Sequence, residues 1–243
     1  MVTAIVLAGA AGKEFGVNSR AMVKVGGVTM LDRVVGALKD NADRILIVGD
    51  VTCSYNAEIY PPKKSLMENI DFALGKCEGD YILLCTSDIP FITEEAVKDF
   101  VDEGIKYDVG FVYPICRKEK CLEMYPTLKR TYVKIKDGEF TGGNIMLMKR
   151  SFLAGIMPIM QELYEARKSP LKLAKMIGFD IIWRLLLCKI CPSVLDKEFL
   201  ENKISALFGE RVKAYISPDP SICEDLDSPE ELAKFEEIIK KGD

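Results

Sequence analysis

The chain has 243 residues, of which 49% are hydrophobic and 29% are charged, so it can bury the core of one large domain. The formal net charge of −4 gives no reason to expect a nucleic-acid partner, and no uninterrupted apolar stretch reaches the roughly 20 residues that span a bilayer. The sequence contains no histidine, which excludes Ser-His and Cys-His nucleophilic catalysis.

The first residues and the cysteines bear on the cellular compartment. The opening stretch MVTAIVLAGA carries no basic segment ahead of its apolar residues, so it reads as a strand and we expect a cytoplasmic protein. The eight cysteines are scattered, and several lie in apolar stretches, which favours reduced core residues. Cys188 and Cys191 have the spacing of a redox or zinc pair, but no second pair or histidine accompanies them, so a structural role is favoured.

Buried strands and amphipathic helices alternate through the first half of the chain. Continuous apolar runs predict strands at residues 3–9, 43–50, 80–88 and 107–115. Apolar residues at helical spacing, with N-cap residues before them, predict helices at residues 29–40, from Ser65 and from Thr93. This alternation predicts a parallel sheet that is covered on both faces and binds ligands at the carboxyl ends of its strands.

The pattern changes after residue 115. Strands or strand-turn elements are predicted at residues 130–140, 142–148 and 211–217. Residues 151–208 read as helical, and a capping box that begins at Ser228 opens a final helix. Because no repeat or linker interrupts the chain, we predict a single domain over residues 1–243, with a helical subdomain at about 150–208.

The first predicted strand ends in a turn that has almost no side chains. In the stretch IVLAGAAGKEFG, Gly9 and Gly12 enclose Ala10 and Ala11. Glycine permits backbone conformations that other residues resist, and the N–H groups of such a turn can hold phosphate oxygens. The turn lacks the ending of a P-loop and the G-x-G-x-x-G spacing, so the glycines alone fit a plain strand-to-loop connection equally well.

The surroundings of this turn resemble the opening of the nucleotidyltransferase-like superfamily, LAGG-x-G-x-R-M followed by P-K-x-L. The nearest resemblance is to molybdenum-cofactor guanylyltransferase-like NTP transferases, whose further motifs are matched in order by SLMENIDFAL, YILLCTSDIPFIT, GGNIMLMKRSFL and EDLDSPEEL. The resemblance covers most of the chain except about residues 150–205. It implies an α/β fold of three layers, α/β/α, around a mainly parallel Rossmann-like sheet of the nucleotide-diphospho-sugar transferase type, with a helical insertion.

The resemblance also implies a reaction in which an acceptor phosphate attacks the α-phosphate of an NTP and releases pyrophosphate. The expected partners are an NTP and a phosphorylated small molecule. Mg²⁺ is the expected cofactor, because charge and alignment dominate the barrier and Mg²⁺ prefers carboxylate oxygens.

The matching positions imply a role for each candidate residue. The implied catalytic residues are Lys13, Arg20 and Asp88, and the implied Mg²⁺ ligands are Asp88 and Asp227. The implied nucleotide-binding residues are Leu7, Ala8, Gly9, Ala10, Gly12 and Ser65. The implied acceptor-binding residues are Gly143 and Asn144.

Simpler interpretations of these residues stay open at this point. Asp88 can be an ordinary loop acid, and Asp227 can be a solvated acid in an acidic stretch where Asp225 is a second candidate ligand. Ser65 can serve only as an N-cap, and the glycines before Asn144 can serve only to start a strand.

Three positions depart from the family pattern. The signature arginine is replaced by Glu14, whose charge would repel a triphosphate; Arg20 stands for the usual lysine, and Ala10 stands for a glycine. These changes motivate a second hypothesis, a nucleotide-binding sensor or scaffold without catalysis. A third, a glycosyltransferase that uses a nucleotide sugar, is weaker because no D-x-D follows the third predicted strand.

Residues 170–190 combine large apolar side chains with lysine and arginine. Such a basic amphipathic segment can lie on an anionic membrane, form a lid over the acceptor pocket, or form the seam of a homodimer. Internal packing or self-association is favoured over membrane contact. We hypothesise that the helical insertion shapes acceptor selectivity.

Overall fold

A nine-stranded mixed sheet organises the fold in the computed structural model, which describes residues 1–242. The strands are β1 Val2–Leu7, β2 Lys24–Val25, β3 Val28–Thr29, β4 Arg44–Val48, β5 Glu58–Tyr60, β6 Tyr81–Thr86, β7 Phe111–Arg117, β8 Val133–Ile135, β9 Gly138–Gly142, β10 Ile145–Lys149 and β11 Val212–Ser217. Across the sheet, the strands β5, β4, β1, β6, β10 and β7 follow in this order. β9 pairs with the end of β7 on the same edge on which β10 pairs with its start, and β8 pairs with β9. β11 lies along the opposite edge of β7, while β2 and β3 form a separate hairpin.

Strand register brings three loops to one edge of the sheet. β1 lies parallel to β4 and β6, and Leu7 at its end is beside Val48 and Thr86. β10 runs antiparallel to β6, so its first residue, Ile145, is beside Cys85 near the end of β6. The turn after β1, the segment after β6 and the segment before β10 therefore meet at the same edge.

Nine α-helices accompany the sheet within the described part of the chain, and side-chain caps fix where several of them begin. The helices are α1 Met30–Leu38, α2 Leu66–Leu74, α3 Glu94–Lys106, α4 Lys118–Met124, α5 Arg150–Ala166, α6 Pro170–Ile177, α7 Phe179–Leu187, α8 Lys197–Phe208 and α9 Pro229–Gly242. The hydroxyls of Thr29, Ser65 and Thr93 accept hydrogen bonds of 3.0–3.1 Å from the N–H group three residues ahead.

The two faces of the sheet are covered by different helices. In β1 the side chains alternate, so Ala4 and Val6 pack in a core cluster with α1 and α3, while Ile5 packs in a second cluster with α2 and α5. The strands are therefore buried on both sides, which confirms the predicted three-layer α/β/α arrangement. A third, smaller cluster joins α9 to the β2–β3 hairpin.

The structure corrects some of the predicted boundaries. The fourth strand was expected at residues 107–115, but β7 begins at Phe111, because α3 continues to Lys106 and Asp108 then turns the chain with a φ of 46°. β5 and α4 were not predicted. β5 has only three residues, and α4 follows β7 directly with no turn residue to mark its start.

The segment predicted to be helical contains α5 to α8. α5 packs against α2 and β10, whereas α6 and α7 leave large apolar side chains exposed. These exposed side chains are Leu171, Phe179, Trp183 and Leu186, and Ile190 in the turn after α7 is exposed as well. Within the described residues no helix is long and apolar enough to cross a membrane.

A buried carboxylate fastens α8 to the sheet. Glu201 is only 6% exposed, and its oxygens accept hydrogen bonds of 2.7 Å from Lys197 and Lys213 and one of 3.0 Å from the N–H group of Ala214 in β11. Burial alone would raise the pKa of Glu201, but these hydrogen bonds outweigh it and hold the pKa below the ordinary value. The ionised carboxylate therefore stabilises the folded chain.

We predict that Glu201→Gln lowers the free energy of unfolding by about 1–3 kcal/mol at neutral pH, because it removes the charge that two lysines and an N–H group share. The pKa is depressed in the folded state, so this stabilisation is present above the ordinary pKa of 4.5 and is lost as the pH falls below it. Urea unfolding at several pH values measures the effect. Glu198→Gln, at an exposed position of the same helix, is the control, and equal losses in both variants would contradict the prediction.

Candidate nucleotide-binding site

The turn after β1 folds back on the segment that leads to Arg20. The N–H group of Arg20 donates to the carbonyl of Ala10 at 3.0 Å, and the N–H group of Gly12 donates to the carbonyl of Asn18 at 3.2 Å. The buried hydroxyl of Ser19 donates to the carbonyl of Ala8 at 2.8 Å. These bonds close residues 8–20 into a compact loop above the end of β1.

Gly12 is required by the packing of this loop. A Cβ atom at Gly12 would lie 2.7 Å from the backbone N of Arg20 and 2.7 Å from the carbonyl carbon of Ser19. The backbone angles of Gly12, φ −119° and ψ 23°, are open to other residues, so the restriction is steric. Gly9 differs, since a Cβ there would meet only the amide nitrogen of Asn69 at 3.3 Å and a carbon of Pro62 at 3.9 Å.

The exposed part of the turn presents backbone donors. Gly9, Ala10 and Ala11 are exposed, and none of the hydrogen bonds that close the loop within the described residues uses their N–H groups. Three successive N–H groups without large side chains can donate hydrogen bonds to an anion such as a phosphate. Ala8, by contrast, is fully buried and contributes to the core.

Arg20 gathers three carboxylates at the edge of the loop. Its Nη1 atom lies 3.1 Å from Oδ1 of Asp227 and 3.5 Å from Oδ2 of Asp88, and its Nη2 atom lies 3.3 Å from Oε1 of Glu14. Asp88 and Asp227 therefore lie close together beside the turn, although they are far apart in the chain. One guanidinium offsets only one of the three negative charges, so the cluster keeps a net negative charge.

The three acids differ in their exposure to water. The side chain of Asp227 is 70% exposed and that of Glu14 is 40% exposed, whereas that of Asp88 is only 17% exposed. Burial raises the pKa of Asp88, and the charge of Asp225 acts in the same direction, while Thr86 and Arg20 oppose the shift. A bound cation would remove this penalty on the ionised form of Asp88.

Asp225 is committed to a different partner. It forms an ion pair with Arg130, which also faces Glu224 at 4.0 Å. Glu224 is 1% exposed, and its burial raises its pKa to about 7. Neither Arg130 nor Glu224 was identified from the sequence. Glu224 belongs to an acidic stretch that reads as solvated, and Arg130 becomes its neighbour only through the fold.

Gly143 and Asn144 hold the start of β10 against the segment before α9. The N–H group of Asn144 donates to the carbonyl of Ile222 at 2.9 Å, and its side-chain amide donates to the carbonyl of Cys223 at 3.3 Å. A Cβ atom at Gly143 would lie 2.8 Å from the ring of Pro114, so this glycine allows close packing. The amide oxygen of Asn144 is not used by these bonds.

A cavity of about 840 Å³ opens beside the turn and is lined by six of the residues predicted for the site. These six are Leu7, Gly9, Ala10, Ser65, Asp88 and Asn144. The remaining predicted residues are Ala8, Gly12, Lys13, Arg20, Gly143 and Asp227; they do not line this cavity. Lys13 is exposed in a short 3₁₀ turn, Lys13–Phe15, and forms no ion pair with the residues that the structure describes.

The cavity also contains polar residues that the sequence interpretation missed. Lys63 and Lys64 lie on its rim just before Ser65, which is both the N-cap of α2 and a wall residue. Asn69 is buried on α2 beside Gly9, and its amide oxygen accepts a 2.6 Å hydrogen bond from the N–H group of Lys63. The sequence did carry a signal for Asn69, because it is a polar residue on the apolar face of a predicted helix.

Comparison with known proteins identifies the family of the chain. A family model described as a MobA-like NTP transferase domain matches residues 4–169. A molybdenum cofactor guanylyltransferase of Desulfosudis oleivorans is 29% identical over 120 residues, which are 46% of this chain and 58% of that protein. The chain thus spans little more than half the length of this curated relative.

Solved structures extend the likeness over the whole fold. A hypothetical transferase from Thermus thermophilus superposes with a TM-score of 0.86 and 34% identity, covering 95% of this chain and 98% of that one. Coverage of this extent includes most of the helical segment. A 2-C-methyl-D-erythritol 4-phosphate cytidylyltransferase from the same species, with a TM-score of 0.58 and 12% identity over 97% of this chain and 98% of that one, shares the fold.

We predict that Gly12→Ala lowers the free energy of unfolding by about 1–3 kcal/mol, because the added methyl group must push apart backbone atoms of the loop. Gly9→Ala is the matched control and should change it by less than about 0.5 kcal/mol, because the nearest atom, the amide nitrogen of Asn69, lies 3.3 Å away and no backbone atom blocks the methyl group. Thermal unfolding of the two variants measures the difference. A Gly12 variant as stable as the Gly9 variant would contradict the packing requirement.

Proposed function

The chain belongs to the family of MobA-like NTP transferase domains, and from this premise we propose that it is a Mg²⁺-dependent nucleotidyltransferase. It would move a nucleoside monophosphate from an NTP to a phosphorylated small-molecule acceptor. The observation that carries the proposal is the convergence of Asp88 and Asp227 on one nitrogen of Arg20, beside the turn with exposed N–H groups.

The reaction is a displacement at phosphorus. An oxygen of the acceptor phosphate forms a bond to the α-phosphorus of the NTP, the bond from that phosphorus to the bridging α–β oxygen breaks, and pyrophosphate leaves with the electron pair. Catalysis of such a transfer is mainly alignment and stabilisation of charge. The N–H groups of Gly9, Ala10 and Ala11 would donate hydrogen bonds to phosphate oxygens, and Lys13 and Arg20 would offset the phosphate charge.

The acids at the end of the sheet suit a magnesium ion. Mg²⁺ is commonly held by one or two carboxylates together with substrate phosphates and water, and Asp88 and Asp227 provide such a pair. When bound, the ion would neutralise charge on the triphosphate. Arg20 pairs with both carboxylates, so its guanidinium would share them with the ion and would be close enough to the site to offset phosphate charge.

Of the remaining predicted residues, some would contact the nucleotide and others the acceptor. Leu7, Ala10 and Ser65 line the part of the cavity near the turn, which supports a role beside the nucleotide. Asn144 lines the cavity from the start of β10, and its amide oxygen is left over from the bonds to the segment before α9, which supports a role beside the acceptor. Gly143 supports Asn144 by allowing the close packing on Pro114.

A nucleotide-binding sensor without turnover is the second candidate. It is favoured by one observation, the pairing of Glu14 with Arg20, which reduces the positive charge available to a triphosphate. An experiment with each of the four NTPs and Mg²⁺ separates the sensor from the transferase. It measures thermal stabilisation of the protein and release of pyrophosphate. Stabilisation without release on any phosphorylated acceptor supports the sensor, and stabilisation with release supports the transferase.

We predict that Asp88→Asn and Asp227→Asn each lower the rate of pyrophosphate release by about 10²–10³-fold, because each removes a charge that stabilises the transition state through the metal. The Mg²⁺ concentration for half-maximal activity should rise at least about 10-fold. Asp50→Asn is the control, since Asp50 is an exposed acid just after β4 on the same edge of the sheet. Unchanged Mg²⁺ dependence in the Asp88 and Asp227 variants would refute the metal assignment.

We predict that Glu14→Gln tightens NTP binding by about 1.5- to 5-fold, because Arg20 loses one of three competing carboxylates and an exposed ion pair is worth about 0.2–1 kcal/mol. Calorimetric titration at low and high salt measures the change, which should shrink at high salt. If Glu14 instead helps to bind Mg²⁺, the same substitution would weaken NTP binding in the presence of the metal. Weaker binding would therefore contradict this prediction.

A further inference from the structure

The cavity beside the turn has two chemically different ends. Near the turn it is lined by polar groups, among them Ser65, Asp88 and Asn144. Its other end lies between β10 and α5, and its walls there are apolar. The apolar walls are formed by Phe111, Met146, Met148, Ile156, Met160 and Phe208.

The apolar end suits a hydrocarbon group and disfavours a polar ring. A sugar or another hydroxylated group placed there would lose its hydrogen bonds to water without replacement from these side chains, which is unfavourable. Three of the six wall residues are methionines, whose flexible side chains adapt to irregular apolar ligands. The volume of about 840 Å³ lies in the range of cavities that enclose a whole small-molecule ligand.

Positive charge lies at the rim of the same cavity. Lys63, Lys64 and Arg167 are exposed and line it. Arg167 also stacks over the ring of Tyr164, with 3.5 Å between its guanidinium carbon and the ring centroid. A molecule that combines a phosphate with a hydrocarbon chain would find a partner for each part.

On the basis of the proposed nucleotidyl transfer, we propose that the acceptor is an amphiphile, a phosphate ester of a hydrocarbon alcohol. Its hydrocarbon chain occupies the apolar end of the cavity between β10 and α5, and its phosphate lies at the polar end toward Asn144, where Lys63, Lys64 and Arg167 at the rim offset its charge. The wall residues on α5 and α8 belong to the helical insertion, so the insertion determines which acceptors bind.

Binding of linear alkyl phosphates to the full chain tests this proposal. Ethyl, butyl, hexyl and octyl phosphate, each below its micelle concentration, are titrated calorimetrically with Mg²⁺, with and without an NTP. We expect the Kd to fall about fourfold for each added methylene until the cavity is full, corresponding to about 0.8 kcal/mol per buried methylene. An equal Kd for ethyl and octyl phosphate, or tighter binding of glycerol phosphate than of butyl phosphate, would overturn the proposal.

Two variants on α5 test where the alkyl chain of the ligand binds. Met160 lines the cavity, whereas Met157, one turn earlier on the same helix, packs at the edge of the core cluster and does not line it. Met160→Gln should weaken octyl phosphate binding at least about fourfold and leave ethyl phosphate unaffected, while Met157→Gln should preserve the dependence on chain length. Equal effects of the two substitutions would contradict the location, and thermal unfolding of both variants checks their folding.

The NTP measurements separate this inference from the proposed function. If NTP and Mg²⁺ bind but chain length has no effect, the amphiphilic acceptor is wrong and the nucleotidyltransferase stands. If no NTP binds, both the transfer reaction and the acceptor role are wrong, even if alkyl phosphates bind. Displacement of octyl phosphate by NTP would assign the apolar end to the nucleotide and overturn the proposal, whereas simultaneous binding supports it.

Discussion

The arrangement of the candidate site depends on the guanidinium of Arg20. It lies within 3.5 Å of carboxylates from the loop after β1, from the segment after β6 and from the segment before α9. These segments would repel one another without a cation between them, because each brings a negative charge to the same edge of the sheet. Arg20 thus holds these three segments together at the end of β1.

Much of the fold could be predicted because its signals are local. Apolar runs indicated the position of the sheet strands, and Thr29, Ser65 and Thr93 marked helix starts that the structure places within one residue. The late start of β7 could not be seen, since it depends on where α3 ends and on the turn at Asp108. The antiparallel placement of β10 between β6 and β7 is a property of the whole sheet, and no short window of sequence contains it.

The site was predictable only where a residue follows a strand or matches a family motif. Asp88 and Asp227 were found in this way, and they do lie together. The behaviour of Glu14 was not foreseen, because its charge suggested repulsion of the substrate and the structure pairs it with Arg20. The pairing of Asp225 with Arg130, and the apolar end of the cavity, arise from contacts between elements that are distant in the chain.

The ion pair between Arg20 and Asp227 joins residues that are 207 positions apart in the chain. During synthesis on a ribosome, β1 and its turn emerge long before the acid that completes the cluster. A nascent chain that has folded only its first strands therefore lacks part of the site, and closing so long a loop is entropically unfavourable until the intervening sheet has formed. The cluster around Arg20 can therefore be complete only after the segment before α9 has been synthesised.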